Sequence, residues 1–441
     1  MDKRLSKTAQ METVSIPKLI FRYSTVTFCA LLFDALYNIV DTLFVSRGVG
    51  DDAMGGVSIV FPFMLIQSGI AQMVGGGAAV IVSQKLGEKD YRGAGSVTAN
   101  AMLVFYSSAV LVTVLGYIFM LPILNLLGVT QDILPFAKEY FAVVLAGNVF
   151  STGFSSIIRA EGKMTYGLLI WLIPTAINIV LDAVFIYGLD MGVKGAALAT
   201  VICYFSSFLM SVLFFVKISC QKFNNIKIEL NTIQEILFIG VPTLLQTGSI
   251  SLMFLLINHL LSKISGTLGV NAFAYISKLA IFAVVPINAV SQAVSPVFAY
   301  NFGAGKGSRV KKTLKYSICI TVLYSIIISL AAISVPQLFV KMFTNNSEII
   351  MFSDCALRII APATVFLSVA LILSIYFQSL GRKSTAIITS ASILIFLIIM
   401  LFLLAYLFGT IGIWISLPAA SALSAAFAGL NYFVLKKRGK L

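Results

Sequence analysis

Three carboxylates stand in otherwise apolar surroundings: Asp34, Asp41 and Asp182. An unpaired charge at mid-membrane depth costs roughly 3 kcal/mol on insertion scales, so such acids face a protein interior or a water-filled cavity and mark ion or proton paths. Asn178 and Asp182 are one turn apart in Asn178-Ile179-Val180-Leu181-Asp182, which puts them on one helix face. Asp41 sits in Tyr37-Asn38-Ile39-Val40-Asp41-Thr42, and Thr200 opens a later apolar run. Two carboxylates, an amide and a hydroxyl make an all-oxygen set suited to hard alkali or alkaline-earth cations. The same pair of acids, close and desolvated, would equally hold one shared proton, so Na⁺ and H⁺ both stay open. A plainer reading has Asn178 and Asp182 only bonding across helices. Asp34, two turns before Asp41, either lines the same cavity with Tyr37 and Asn38 or pairs with a cation near the boundary.

The elements carrying these groups must be membrane spans. The chain has 441 residues, 59% hydrophobic and 11% charged, with a mean hydropathy of +0.99. Soluble chains carry about 25% charged residues. Disorder, collagen and a disulfide scaffold are excluded by the same figures. The apolar runs continue for about 20 residues or more, unlike the alternating strands of about 10 residues in a barrel. Spans are predicted at roughly 23–45, 54–84, 96–122, 136–158, 166–188, 195–216, 235–260, 271–300, 314–337, 354–380, 384–408 and 412–435. Spans two and eight are long enough to be tilted or broken.

A net charge of +14 reads as a membrane topology signal, and no nucleic-acid partner is expected. Of 31 basic residues, 24 fall in the N-terminal segment, the even-numbered loops and the tail, against five in the odd-numbered loops. Both termini are therefore expected in the cytoplasm. Lys278 and Arg358 lie within spans, where long cations either snorkel to the interface or orient a gate.

The chain also repeats. Ser83–Gly87 recurs as Ala299–Gly303, Ile158–Lys163 as Phe377–Arg382, and Gly188–Gly192 loosely as Phe408–Gly412, at offsets of 216, 219 and 220. Six spans per half is an even number, so both halves insert alike and are related by a pseudo-two-fold axis along the membrane normal. The predicted fold is an all-α polytopic membrane protein of twelve transmembrane helices in two six-helix lobes. The N-lobe is 1–220 and the C-lobe 221–441, joined through the basic loop at 217–235. Position 41 maps onto Asn258 and position 182 onto Phe402, so the coupling chemistry is confined to the first half.

Other chemistry is scarce. Cys29, Cys203, Cys220, Cys319 and Cys355 form no CxxC pair, and His259 is the sole histidine, so neither a disulfide framework nor a zinc site is indicated. The first 22 residues have no short apolar core or cleavage site, so span one is expected to stay in the mature protein. Gly75-Gly76-Gly77 lacks the Lys-Ser/Thr of a phosphate loop and reads as close helix packing. Pro62, Pro174, Pro286, Pro296, Pro362 and Pro418 mark kinks within spans. No nucleophile, metal or cofactor cluster supports an enzyme, and none is expected.

Tyr37-Asn38-Ile39-Val40-Asp41-Thr42-Leu43-Phe44-Val45 followed by Gly48-Val49-Gly50 resembles the first-span signature of the multidrug and toxic compound extrusion (MATE) transporters, nearest the prokaryotic branch with DinF-like and MepA-like members. Pro174 through Asp182, Gly192–Thr200, Leu86–Asp90 and Tyr300–Ala304 fit the same family. The resemblance implies a multi-pass protein of the prokaryotic inner membrane, a monomer without cofactor. It implies antiport of small organic, often cationic, compounds against Na⁺ or H⁺ by alternating access. The alternative is a flippase for a lipid-linked oligosaccharide or another lipid of the wider superfamily. The family's N-lobe cation site matches Asp41, Asn178, Asp182 and Thr200. The chain departs from some members in having no deep acid in the C-lobe and no proline between Phe21 and Gly50. Gln67, Gln246, Asn288 and Gln292 are further candidates for the substrate cleft.

Overall fold

The structure is a computed structural model that describes residues 3–127, 129–150, 153–223, 226–342 and 346–439, with the side chains of 3–7, 34–43, 46–47, 51–52 and 267 outside the description. All described regular structure is helical. The chain divides into two compact units, Met1–Thr13 with Val26–Gly240, and Val14–Thr25 with Val241–Leu441.

In the first unit a short α1 (Lys3–Thr13) precedes α2 (Ile16–Gly48), whose first ten residues belong to the second unit. Then come α3 (Asp51–Gly87), α4 (Tyr91–Ile118), α5 (Met120–Leu126), α6 (Leu134–Gly147), α7 (Phe154–Ala160), α8 (Met164–Asp182) and α9 (Gly192–Lys217). Asp90 caps α4 by accepting from the Gly93 amide at 2.8 Å. Span four is not one helix. A 3₁₀ turn at Asn148–Phe150 separates α6 from α7, and buried Asn148 donates to the Ala109 carbonyl and the Thr113 hydroxyl, both at 3.3 Å. That contact ties the break to α4 and gives the buried amide the partners it needs inside a bilayer.

The predicted close approach at the triple glycine is present. A methyl on Gly75 would lie 2.7 Å from the Gly153 carbonyl, and one on Gly77 1.9 Å from the Ile236 carbonyl. Small residues let helices meet backbone to backbone where lipid offers no hydrophobic drive for association. The second of these contacts fastens the start of α10 (Leu230–Ile264) to α3, which is why the first unit extends to Gly240. Val57, Leu124, Phe141, Ile186 and Ala196 lie in this unit's buried core.

The second unit continues through α10, α11 (Gly266–Gly303), α12 (Gly307–Ser334), α13 (Pro336–Lys341), α14 (Ser347–Ile360), α15 (Ala363–Ser379) and α16 (Lys383–Lys437). Span ten is bent by 45° between α14 and α15, with Pro362 at the break. Spans two and eight, by contrast, run unbroken as α3 and α11. The 55 residues of α16 hold spans eleven and twelve, reversing at Gly409 (φ 57°, ψ −132°). Ser424 returns to bond the Ser392 carbonyl at 3.4 Å. With that reversal and the two broken spans counted once each, the chain has twelve transmembrane helices. A kink proline absent from the sequence-based set, Pro242, lies inside α10. Leu126, Val216, Leu323 and Tyr406 are among many large apolar side chains left exposed, the surface a bilayer would cover.

The backbone repeats more clearly than the side chains do. Left-handed residues recur as Gly50 and Gly266, and as Lys89 and Gly305, each pair 216 positions apart. Gly162 and Gly381, and Asp190 and Gly409, recur 219 apart. A positive φ costs an L-residue energy and is rare, so four matched positions identify one backbone plan used twice.

Candidate functional site

Asn178, Asp182 and Thr200 meet inside the first unit. Asn178 and Asp182 are fully buried, and Thr200 is 4% exposed. With the Asn178 amide turned so that both its atoms find partners, its nitrogen donates to Asp182 Oδ2 at 3.0 Å and its oxygen accepts the Thr200 backbone amide at 3.2 Å. The Thr200 hydroxyl donates to the Ala196 carbonyl at 3.1 Å, leaving its oxygen lone pairs available. Asp182 is the last α-helical residue of α8, and a π-helical stretch follows at Ala183–Gly188. A π-helical stretch widens the helix by one residue per turn and recurs at functional sites.

Asp34, Tyr37, Asn38 and Asp41 lie on α2, and their side chains fall outside the described residues. The backbone just beyond them is placed by its neighbours. The Phe44 and Tyr187 rings pack edge to face at 5.9 Å, and a methyl on Gly48 would lie 2.4 Å from Ile186. Val49 lies against Gly192, 3.6 Å from where a methyl there would sit. Spans one and five are an even number of crossings apart, so α2 runs in the same direction as α8 and the π-helical stretch that follows it. Asp41 is three residues before Phe44 and Asp182 five before Tyr187. At about 1.5 Å of rise per residue the two acids sit on neighbouring backbones within a few Å of the same level.

The remaining candidates scatter. Gln67 lines a small recess in the first unit, beside Phe105, Ser108 and Asn148. Asn148 was missed by sequence reasoning; only the break in span four exposes its role. Gln246 belongs to a polar seam within the second unit, donating to Ser374 at 3.2 Å and Ser390 at 3.5 Å. Asn288 and Gln292, four residues apart on α11, are half-buried on one face. Arg358 bonds Asp354 at 2.9 Å and the Ile333 carbonyl at 2.5 Å, a cation paired at the end of its span. Lys278 is exposed on α11. Among the described residues no group of three or more His, Cys, Asp or Glu could hold a metal ion.

The sequence pattern of the family described as MatE matches residues 27–184 and 242–403. Multidrug export protein MepA of Staphylococcus aureus (strain MSSA476) is 25% identical over 427 residues, spanning 96% of this chain and 94% of that protein. Its counterpart in Staphylococcus haemolyticus is 25% identical over 437 residues, spanning 97% and 95%. A solved structure of MATE in the bent conformation superposes with a TM-score of 0.91 at 22% identity over all of both chains. An outward-facing multidrug resistance MATE family transporter of the MOP superfamily gives 0.86 at 22% identity over 99% of each.

Proposed function

The chain belongs to the MatE family, and from that premise we propose that it is a secondary active exporter of small organic compounds, driven by a cation that binds in its first half. It is a multi-pass membrane protein and not an enzyme. Export is what the names of its MepA relatives state of those proteins, and the shared length carries the reading to this chain.

The single observation behind the coupling site is the buried cluster of Asn178, Asp182 and Thr200. A carboxylate completely withdrawn from water is costly unless a cation or proton compensates it. Asp41, on the adjoining helix at a similar level, supplies the second carboxylate. Asn178 holds Asp182 through its amide nitrogen and the α9 backbone through its amide oxygen. It thereby links α8 to α9, and a change at the carboxylate is transmitted to a second helix.

In the cycle, the cation enters from outside and binds Asp41 and Asp182, favouring the state that releases substrate outward. Substrate from the inner side then favours the opposite state. Each ligand drives the switch only through its different affinity for the two states. Both termini face the cytoplasm, and the protein acts as a monomer. The test is substrate efflux from cells carrying D41N or D182N at matched membrane abundance. Loss of efflux in both is expected; native efflux in either removes that residue from the coupling site.

A further inference from the structure

Glu161 is a second fully buried carboxylate in the first unit, and the coupling site does not use it. It sits in the turn between α7 and α8, outside the spans. Every partner of its carboxylate comes from three consecutive residues after α9. The Ser219 hydroxyl donates to Oε1 in a short contact, and the Gln221 side-chain amide donates to the same oxygen at 2.8 Å. The Cys220 amide and thiol donate to Oε2 at 3.1 and 3.4 Å. The Glu161 backbone carbonyl accepts from Thr8 of α1 at 2.9 Å.

The segment continues along α4. Thr98 donates to Gln221 at 2.6 Å, and the Lys222 amide to the Tyr91 carbonyl at 2.9 Å. Ser96 and Asn100 hold the Lys227 carbonyl at 2.9 and 2.8 Å, and Asn100 accepts the Glu229 amide at 3.0 Å. Between α9 and α10 the described residues form no regular element of their own, yet they are fastened along the segment.

The repeat supplies an internal control. At offset 219 the same turn recurs, with left-handed Gly381 (φ 68°) for Gly162 (φ 76°). The bond from the Gly162 amide to the Arg159 carbonyl recurs as Gly381 to Gln378. Glu161 is there replaced by Leu380, which is 5% exposed. The turn therefore forms without a carboxylate.

We propose that Glu161 is a positioning residue that straps the segment joining the two halves, together with α1, onto the first unit, so that residues 219–222 move with that unit during transport. Four donors converge on it, which suits an ionised acceptor. A glutamine of the same shape would turn an amide donor toward one of these pairs. Burial pushes the Cys220 thiol up to about 12, reinforced by the Glu161 charge; it also raises the Glu161 carboxyl above its usual range despite its hydrogen bonds.

Cys220 makes the strap measurable, because the thiolate is the reactive form. In a chain with Cys29, Cys203, Cys319 and Cys355 changed to serine, maleimide labelling of Cys220 should be slow. E161Q and E161L should each speed it about tenfold or more, and S219A should give an intermediate rate. Labelling of E161Q at the native rate overturns the strap. Should E161Q fail to fold, S219A and Q221A decide instead, graded acceleration supporting it and an unchanged rate in both overturning it. In a C220S background, E161C with S219C replaces the strap by a disulfide. Transport low when reduced and restored when oxidised is expected; equal transport in both states contradicts a role in the cycle.

Discussion

The two halves share a backbone and differ in what they bury. Four left-handed positions are matched across the repeat. The first half encloses Asp182, Asn178 and Glu161, whereas the left-handed matches on either side of the two acids, both 219 apart, pair them with Leu401, one short of the Phe402 expected from the sequence, and Leu380. The second half is joined inside by neutral groups: Ser374 and Ser390 bond at 2.6 Å, Gln378 donates to Thr243 at 3.0 Å, and Ser295 meets Ser379 at 3.2 Å. Interhelical hydrogen bonds of that kind contribute on average about 0.6 kcal/mol in a membrane, against roughly 3 kcal/mol for placing one charged acid at its centre. Neutral seams are thus sufficient to hold six helices together. On the proposed reading, a buried acid is kept where it has something further to hold: an ion in one place, a strap in the other.

Five substitutions break or sharpen that contrast. D182N removes the charge and leaves the shape; cation-driven efflux is expected to disappear while abundance and melting temperature stay near native values, measured by vesicle transport and thermal shift. L401D, the reciprocal change, puts an acid at a position that is fully buried. It should destabilise by roughly 3 kcal/mol and create no new coupling, read as lost membrane abundance without altered ion dependence. G240V drives a Cβ to 2.0 Å from the Met73 carbonyl and should cost about 1–3 kcal/mol. G248A, in the second unit, meets nothing within 4 Å and should melt like the native chain. S390A removes one partner of the neutral seam and should lower stability by only about 0.6 kcal/mol, with efflux retained.

The spans were legible because lipid demands long uninterrupted apolar runs, and Asn178 with Asp182 because one turn of helix separates them. The reversal at Gly409 also follows from a sequence in which two predicted spans are separated by a few residues. The Glu161 strap was not legible: its donors lie about 60 positions further on, and nothing local distinguishes them. Gln246 is similar, since its partners Ser374 and Ser390 follow by 128 and 144 positions. The break at Asn148 interrupts a run whose composition stays apolar, so hydropathy reads straight through it, whereas the bend at Pro362 was marked by its proline. Periodicity reports which residues share a face. It carries no information on which distant side chain occupies the space opposite.

The most direct measurement is substrate transport by purified protein in proteoliposomes, driven separately by a sodium jump and a proton jump, for the native chain and D182N. The native protein should respond to one of the two gradients, and D182N to neither. A D182N protein that still moves substrate on the same gradient at close to the native rate would place the coupling cation elsewhere and remove the asymmetry between the halves.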